Sequence, residues 1–237
     1  MPKEPTQTLA QNAAEYQTQH NENYRFSNTT AFITHNGWNV EKCKPVFTIF
    51  LFMQIFYLRP RWNKAVSVSV GASVEIYENA IEVDFAVREA CNCFCQSKEQ
   101  DGEAVWQDSC VEVFLRMLDS SGGYANFEFN SKGVCYAARG KDRQNRTELS
   151  KSEYAKITRK PGGVSIEDGF YRWTLAVQIP FTLLGAGENF KLFQLEGNLC
   201  KCADLAAEPH YLSAFPINTP KPDFHRPDFF KDFTPYG

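Results

Sequence analysis

The chain has 237 residues, 43% of them hydrophobic and 14% aromatic, enough to bury one sizeable core in a single β domain. A formal net charge of -3 supplies no basic stripe of the kind that grips a phosphate backbone, so nucleic acid is excluded as a partner class. The 20 Phe, 10 Tyr and 4 Trp favour strands and stacking surfaces.

In chain order, residues 1 to about 26 are polar, without apolar period, and read as a loosely docked lead. With so polar a start, no N-terminal signal peptide is expected. The most apolar run, Val46 to Leu58, is flanked by Lys42, Lys44, Arg59 and Arg61. At 13 residues it is shorter than the roughly 20 an ordinary span needs, so it reads as a buried core segment, and membrane association is not expected. Residues 1–61 are therefore set apart as an N-terminal lead.

From Ala65 onward the pattern is β. Val66, Val68 and Val70 alternate with serines, and Val74 to Tyr77 continues the strand. After Glu78-Asn79, Ile81, Val83, Phe85 and Val87 alternate with polar residues and complete a hairpin. Val111, Val113 and Leu115 form the next strand. Tyr124 to Asn130 sets Phe127 and Phe129 on one face and Asn126, Glu128 and Asn130 on the other. Val134 to Ala138 follows the turn Ser131-Lys-Gly133. Gly140 to Lys151 reads as a charged loop or short helix, and Gly162-Gly163 as a chain break. Trp173 to Ile179 and Leu192 to Asn198 are strands, with a helical turn at Phe181 to Leu184. The Pro-rich tail from Pro209 is expected to be extended. Many short strands with no long helical period predict an all-β fold, an antiparallel β-sandwich of immunoglobulin or jelly-roll type, over residues 62–237.

Eight cysteines are present. A chain this long does not need disulfide staples, so half-buried free thiols are expected, and the redox compartment stays open. Cys91, Cys93 and Cys95 would line one face of a strand. A metal cluster of these three with Cys200 and Cys202 is the alternative, although their spacing is not that of a zinc motif.

Four segments together resemble the family 9-like carbohydrate-binding domains, DOMON-like sandwiches related to the family 9 carbohydrate-binding modules. They are Val105-Trp-Gln-Asp-Ser-Cys-Val-Glu-Val-Phe114, Tyr124 to Asn130, Gly197 to Asp204 with Pro209-His-Tyr-Leu-Ser213, and Pro222 to Phe230. The resemblance spans roughly residues 62 to 235. It implies sugar binding without catalysis, linked to polysaccharide or oligosaccharide catabolism beside glycoside hydrolases. It also implies an extracytoplasmic setting and, in some members, structural Ca2+. Two positions depart from the family pattern: Cys200 stands where an aromatic is usual and Ala203 where Gly is usual.

A sugar offers apolar C–H faces and a ring of hydroxyls, so its site needs an aromatic platform and side chains that both donate and accept. Trp106, at the mouth of a strand, is the candidate platform; its alternative is a core residue. Asp108 and Glu112 share a face if the strand is extended, as do Asn126, Glu128 and Asn130. Such a face suits hydroxyls or a calcium ion, or is simply the solvated outer face of a sheet. Arg139 and Arg143 could fork onto hydroxyls or an acidic sugar, or lie as surface charges. Lys201, Asp204, His210 and Ser213 make a polar cluster in which His210 binds ligand or pins a loop. His225 anchors the tail. Trp173 is expected in the core. Two other readings stay open: a glycoside hydrolase using carboxylates such as Asp108 and Glu128, and an interaction module with no sugar ligand. A haem-binding sandwich lacks a convincing axial pair among Met53, Met117 and the four His.

Overall fold

The computed structural model describes residues 53–62, 66–117, 123–185 and 195–233. The expected lead up to residue 52, with Trp38, Cys43 and the first half of the apolar run, lies outside the described residues. All described residues belong to one unit, Trp38–Gly237.

The valine alternation becomes β2 (Val68–Ile76), which follows β1 (Met53–Pro60) and pairs with β3 (Ala80–Ala90). The chain continues through β4 (Cys110–Met117), β5 (Tyr124–Asn130), β6 (Cys135–Gly140), β7 (Arg146–Glu148), the single turn α1 (Lys151–Tyr154), β8 (Thr158–Glu167) and β9 (Phe170–Pro180). It ends with β10 (Leu195–Cys202), β11 (Tyr211–Ser213) and β12 (Lys231–Asp232). Strand order is β7-β6-β5-β4-β10-β11-β1-β2-β3-β9-β8, with β12 beside β10, and the pairings are antiparallel. β1 belongs to both halves: Met53 to Leu58 pair with β2, and Arg59 and Pro60 with β11. The curled sheet is thereby a sandwich, and alternate residues of its two halves meet in one core. Val74, Ile81, Val83, Phe85 and Leu175 come from one half; Val111, Val113, Phe127, Phe129 and Leu199 from the other. Each such side chain contributes about 1.5–3 kcal/mol on leaving water.

Three sequence expectations change. The segment around Val46 to Leu58 is not a uniformly buried stretch where it is described: β1 alternates, with Phe56 and Leu58 buried and Met53, Ile55 and Tyr57 exposed. It enters the sandwich ahead of the expected boundary at residue 62. Gly162-Gly163 is not a break. It lies inside β8, where a register shift between Pro161 and Val164 absorbs the glycines, and a Cβ on Gly162 would lie 2.0 Å from Thr174 Oγ1. Cys91 to Cys95 is not a strand with aligned thiols, because β3 ends at Ala90 and a turn follows, so Cys91 is exposed and Cys93 buried. Among the described residues no helix is long and apolar enough to cross a membrane.

Candidate functional site

Alternation along β4, β5 and β10 divides their side chains. Val111, Val113, Phe127, Phe129 and Leu199 enter the core. The opposite, outer face carries Cys110, Glu112 and Phe114 from β4, Asn126, Glu128 and Asn130 from β5, and Cys200 and Cys202 from β10. Register sets Cys200, Glu112, Glu128 and Tyr136 in one row across β10, β4, β5 and β6. The neighbouring row holds Cys202, Cys110 and Asn130.

This outer face is not solvated. The Pro-rich tail returns across it, and Ile217, Phe224 and Phe230 pack with Phe114, Tyr124 and Cys200. His225 Nδ1 lies 2.9 Å from the Tyr124 hydroxyl and its ring meets Phe114 edge-on, which ties the tail down. Glu112 and Glu128 are left 3% exposed.

Two carboxyls side by side with little water strongly favour the neutral form of at least one. Burial pushes Glu112 up to about 7. Burial, then the charge of Glu112, pushes Glu128 well above the usual carboxylate range. Arg146 and Arg143 pull both back down. Glu112 Oε1 accepts from the Cys202 thiol at 3.0 Å. Glu128 Oε1 accepts from Asn126 Nδ2 at 2.8 Å, and Asn126 Oδ1 accepts from Arg146 Nη1. Glu128 Oε2 is buried with no hydrogen-bond partner.

Aromatic rings bound this polar floor. Trp106, in a single 3-10 turn before β4, is 36% exposed and stands edge-on to Tyr136 of β6, with ring centroids 5.4 Å apart. In strand order β11 lies on the other side, where Tyr211 packs on Trp62 and Phe224. The Tyr211 hydroxyl bonds Asp204, and burial raises its pKa to about 12. Arg143 forms an ion pair with Asp223 at 3.6 Å, with its own side chain 62% exposed.

Of the residues singled out from the sequence, Trp106, Asn126, Glu128 and Arg143 surround this floor. Asp108 and Asn130 lie at its end and are engaged elsewhere. Asp108 is fully buried and accepts from Ser97 N, Ser97 Oγ and Lys98 N at 2.8 Å and from Asn130 Nδ2 at 3.0 Å. Asn130 Oδ1 accepts from Lys132 N and Val134 N. Together they clamp the loop before Asp108 to the β5–β6 turn. Arg139 pairs in register with Ala125, on the other face of the sheet, and bonds Glu153 of α1 at 2.7 Å. Lys201 likewise points inward. Its Nζ lies 2.9 Å from Glu89 Oε2 and 2.8 Å from His210 Nε2, all three residues being fully buried. Trp173 Nε1 donates to the second Glu89 oxygen at 2.6 Å. Burial and the Lys201 charge lower His210 to about 3, so its ring is neutral and accepts from Lys201.

Sequence reasoning placed Glu112 on a polar face but left it out of the binding set; the alternation of β4 is the signal that puts it opposite Glu128. Tyr136, Arg146 and Tyr211 went unnoticed. They come from β6, β7 and β11, and only the long-range pairing of those strands brings them together. No carboxylate cage suited to calcium, which takes six to eight oxygens, occurs among the described residues. The one group of three metal-ligating side chains there is Cys110, Glu112 and Cys202, a thiol-rich set that does not fit a hard cation.

The fold is an antiparallel β-sandwich whose outer face carries carboxyl and amide side chains between aromatic rings. Residues 61–234 match the model of carbohydrate-binding family 9, and the chain belongs to that family. A solved structure similar to it is a protein of Bacteroides uniformis ATCC 8492, provisionally named as carbohydrate-binding, with 26% identity, a TM-score of 0.67, and coverage of 76% of this chain and 85% of that one. Another is a family 9 carbohydrate-binding module from Caldicellulosiruptor kristjanssonii in complex with cellotriose, with 13% identity, a TM-score of 0.38, and coverage of 68% and 73%. A search of curated proteins finds no match.

Proposed function

We propose that the protein binds carbohydrate, without catalysis, on the outer face of β4 and β5, and that this binding serves the breakdown of polysaccharides or oligosaccharides. Trp106 is the platform under an apolar sugar face. Glu112, Glu128 and Asn126 accept from and donate to hydroxyls, and Arg146 and Arg143 fork onto them from the rim. The observation that carries the reading is Glu128 Oε2, a buried carboxyl oxygen without a hydrogen-bond partner, whose in-register neighbour Tyr136 packs on the exposed Trp106 ring. An unpartnered buried polar atom costs about 1–3 kcal/mol, and a sugar hydroxyl, which both donates and accepts, can partner a carboxyl in its neutral form. Asp108, Asn130, Lys201 and His210 act in this reading by holding the loops and strand ends that carry the site, and Arg139 by holding α1.

The paired carboxyls also raise the question of glycoside hydrolysis. Hydrolases need two carboxyl groups flanking the scissile bond. Glu112 and Glu128 are neighbours on one sheet face and so lie on the same side of any ligand resting there. This favours hydroxyl recognition over bond cleavage. Calorimetric titration of the full chain with a panel of mono- and oligosaccharides tests the proposal. Saturable binding lost in Glu128→Gln, with no release of reducing ends by the unaltered protein, supports it. Turnover that Glu128→Gln abolishes would establish an enzyme instead.

A further inference from the structure

From the donor set beneath this face we infer that Cys110, Cys202 and Glu112 form a site for a thiophilic divalent ion of the zinc class. Antiparallel register places Cys110 of β4 directly opposite Cys202 of β10. Glu112, two residues along β4, shares their face. The two Sγ atoms and a Glu112 carboxylate oxygen all lie within 4.8 Å of one another, and all three residues are buried. The Cys202 Sγ to Glu112 Oε1 distance is 3.0 Å. A tetrahedral zinc ion with Zn–S near 2.3 Å and Zn–O near 2.0 Å holds its donors about 3.3–3.8 Å apart, so the side chains need only rotate, with no movement of strands.

The chemistry of the set is selective. Two thiolates and one carboxylate suit a borderline-soft ion and disfavour calcium or magnesium. The ligands carry three negative charges against two positive ones, and Arg143 and Arg146, both within electrostatic range of Glu112, offset the remainder. Three protein donors leave a fourth position for water or for Cys200, which sits opposite Glu112 in register and is fully buried. Binding displaces the protons of both thiols. Because Glu112 belongs to the proposed sugar site as well, the test must not depend on sugar binding.

The test is titration of the reduced full chain with Co2+, followed by displacement with Zn2+. The expected result is one equivalent of Co2+ bound, with a near-ultraviolet thiolate-to-cobalt charge-transfer band and visible bands of tetrahedral intensity, all abolished by Zn2+. Cys110→Ser and Cys202→Ser, each checked for folding by circular dichroism, lower Co2+ affinity by about two orders of magnitude, since each removes one of three ligands. Cys91→Ser, which changes an exposed thiol away from the site, leaves the band unchanged. Absence of a charge-transfer band in the unaltered protein, or a Co2+ affinity in Cys202→Ser equal to that of the parent, would overturn the assignment. Neither outcome bears on whether the protein binds sugar.

Discussion

Replacing Lys201 by Met removes the cation that, among the described residues, pairs with Glu89 inside the sandwich. Glu89, Lys201 and His210 are all fully buried, and the Lys201–Glu89 contact is 2.9 Å. With Lys201 gone, Glu89 keeps the Trp173 indole as a donor and loses its counter-charge. Breaking a buried pair from one side costs about 3–5 kcal/mol, because the remaining charge stays desolvated. His210 changes the pH dependence of that cost. Its Nε2 lies 3.7 Å from Glu89 Oε2, and the Lys201 charge is one of the two causes that hold its pKa near 3. Its Nδ1 lies 3.2 Å from the Glu208 carbonyl oxygen. In the unaltered protein the lowered His210 pKa contributes stability that is complete above about 6.5 and is lost as pH falls toward 3. Without Lys201 the ring takes a proton to face Glu89. Its folded pKa rises, and its contribution is then present at low pH and lost as pH rises. Urea denaturation at pH 5 and pH 8 reads both effects. The Lys201→Met variant should be destabilised by about 3–5 kcal/mol at pH 8 and by clearly less at pH 5. Lys201→Met with Glu89→Gln should recover most of the loss. A single variant within about 1 kcal/mol of the parent at pH 8, or a double variant no better than the single, would refute the reasoning.

Other consequences are open to direct measurement. Asp108→Asn removes a charged acceptor shared by three backbone and hydroxyl donors, and thermal denaturation should show a loss of about 2–4 kcal/mol, with sugar affinity in the surviving folded protein changed far less. Glu128→Gln should lower sugar affinity at least about tenfold, or 1.4 kcal/mol, while urea denaturation shows stability unchanged or increased, because an ill-satisfied buried carboxyl is replaced by a neutral amide. Between pH 6.5 and 3 the protein should lose stability as His210 and His225, both lowered to about 3 chiefly by burial, are protonated more readily in the unfolded chain; a flat urea midpoint across that window would contradict their burial. Tyr124→Phe removes the hydroxyl that meets His225, and faster proteolysis within residues 217–230 is the expected sign that the tail has loosened.

The strands were legible wherever alternation was clean. The hairpin of β2 and β3, the Phe127 and Phe129 face of β5, and β9 with its core Trp173 all follow from period-2 patterning, because one face of each is buried. β8 was not legible. Its residues are almost all exposed, so no apolar period marks them, and Gly162-Gly163 normally signals a break. The polar face of β5 was read correctly as a face, but its burial could not be foreseen. That depends on the tail returning from about a hundred residues further along the chain. The sharpest limit concerns Lys201 and His210. A charged residue in a strand ordinarily points to solvent. Only the register of β10 against β4, which sets Lys201 opposite Val111, turns it toward Glu89. The Cys110–Cys202 pair was hidden for the same reason, since two residues 92 positions apart become neighbours only through strand pairing.

In the proposed site a sugar rests on Trp106 above Glu112 and Glu128. Trp106 is 36% exposed and, among the described residues, its ring meets only Tyr136, so its ring can be removed with little loss of stability. Calorimetric titration of the full chain and of Trp106→Ala with whichever oligosaccharide binds the unaltered protein tests the claim most directly. The expected result is saturable binding by the parent and affinity at least about tenfold weaker in the variant, at an unchanged melting temperature. Equal affinity in the two proteins would move the sugar site away from this face, and no binding of any sugar by the folded parent would contradict the account itself.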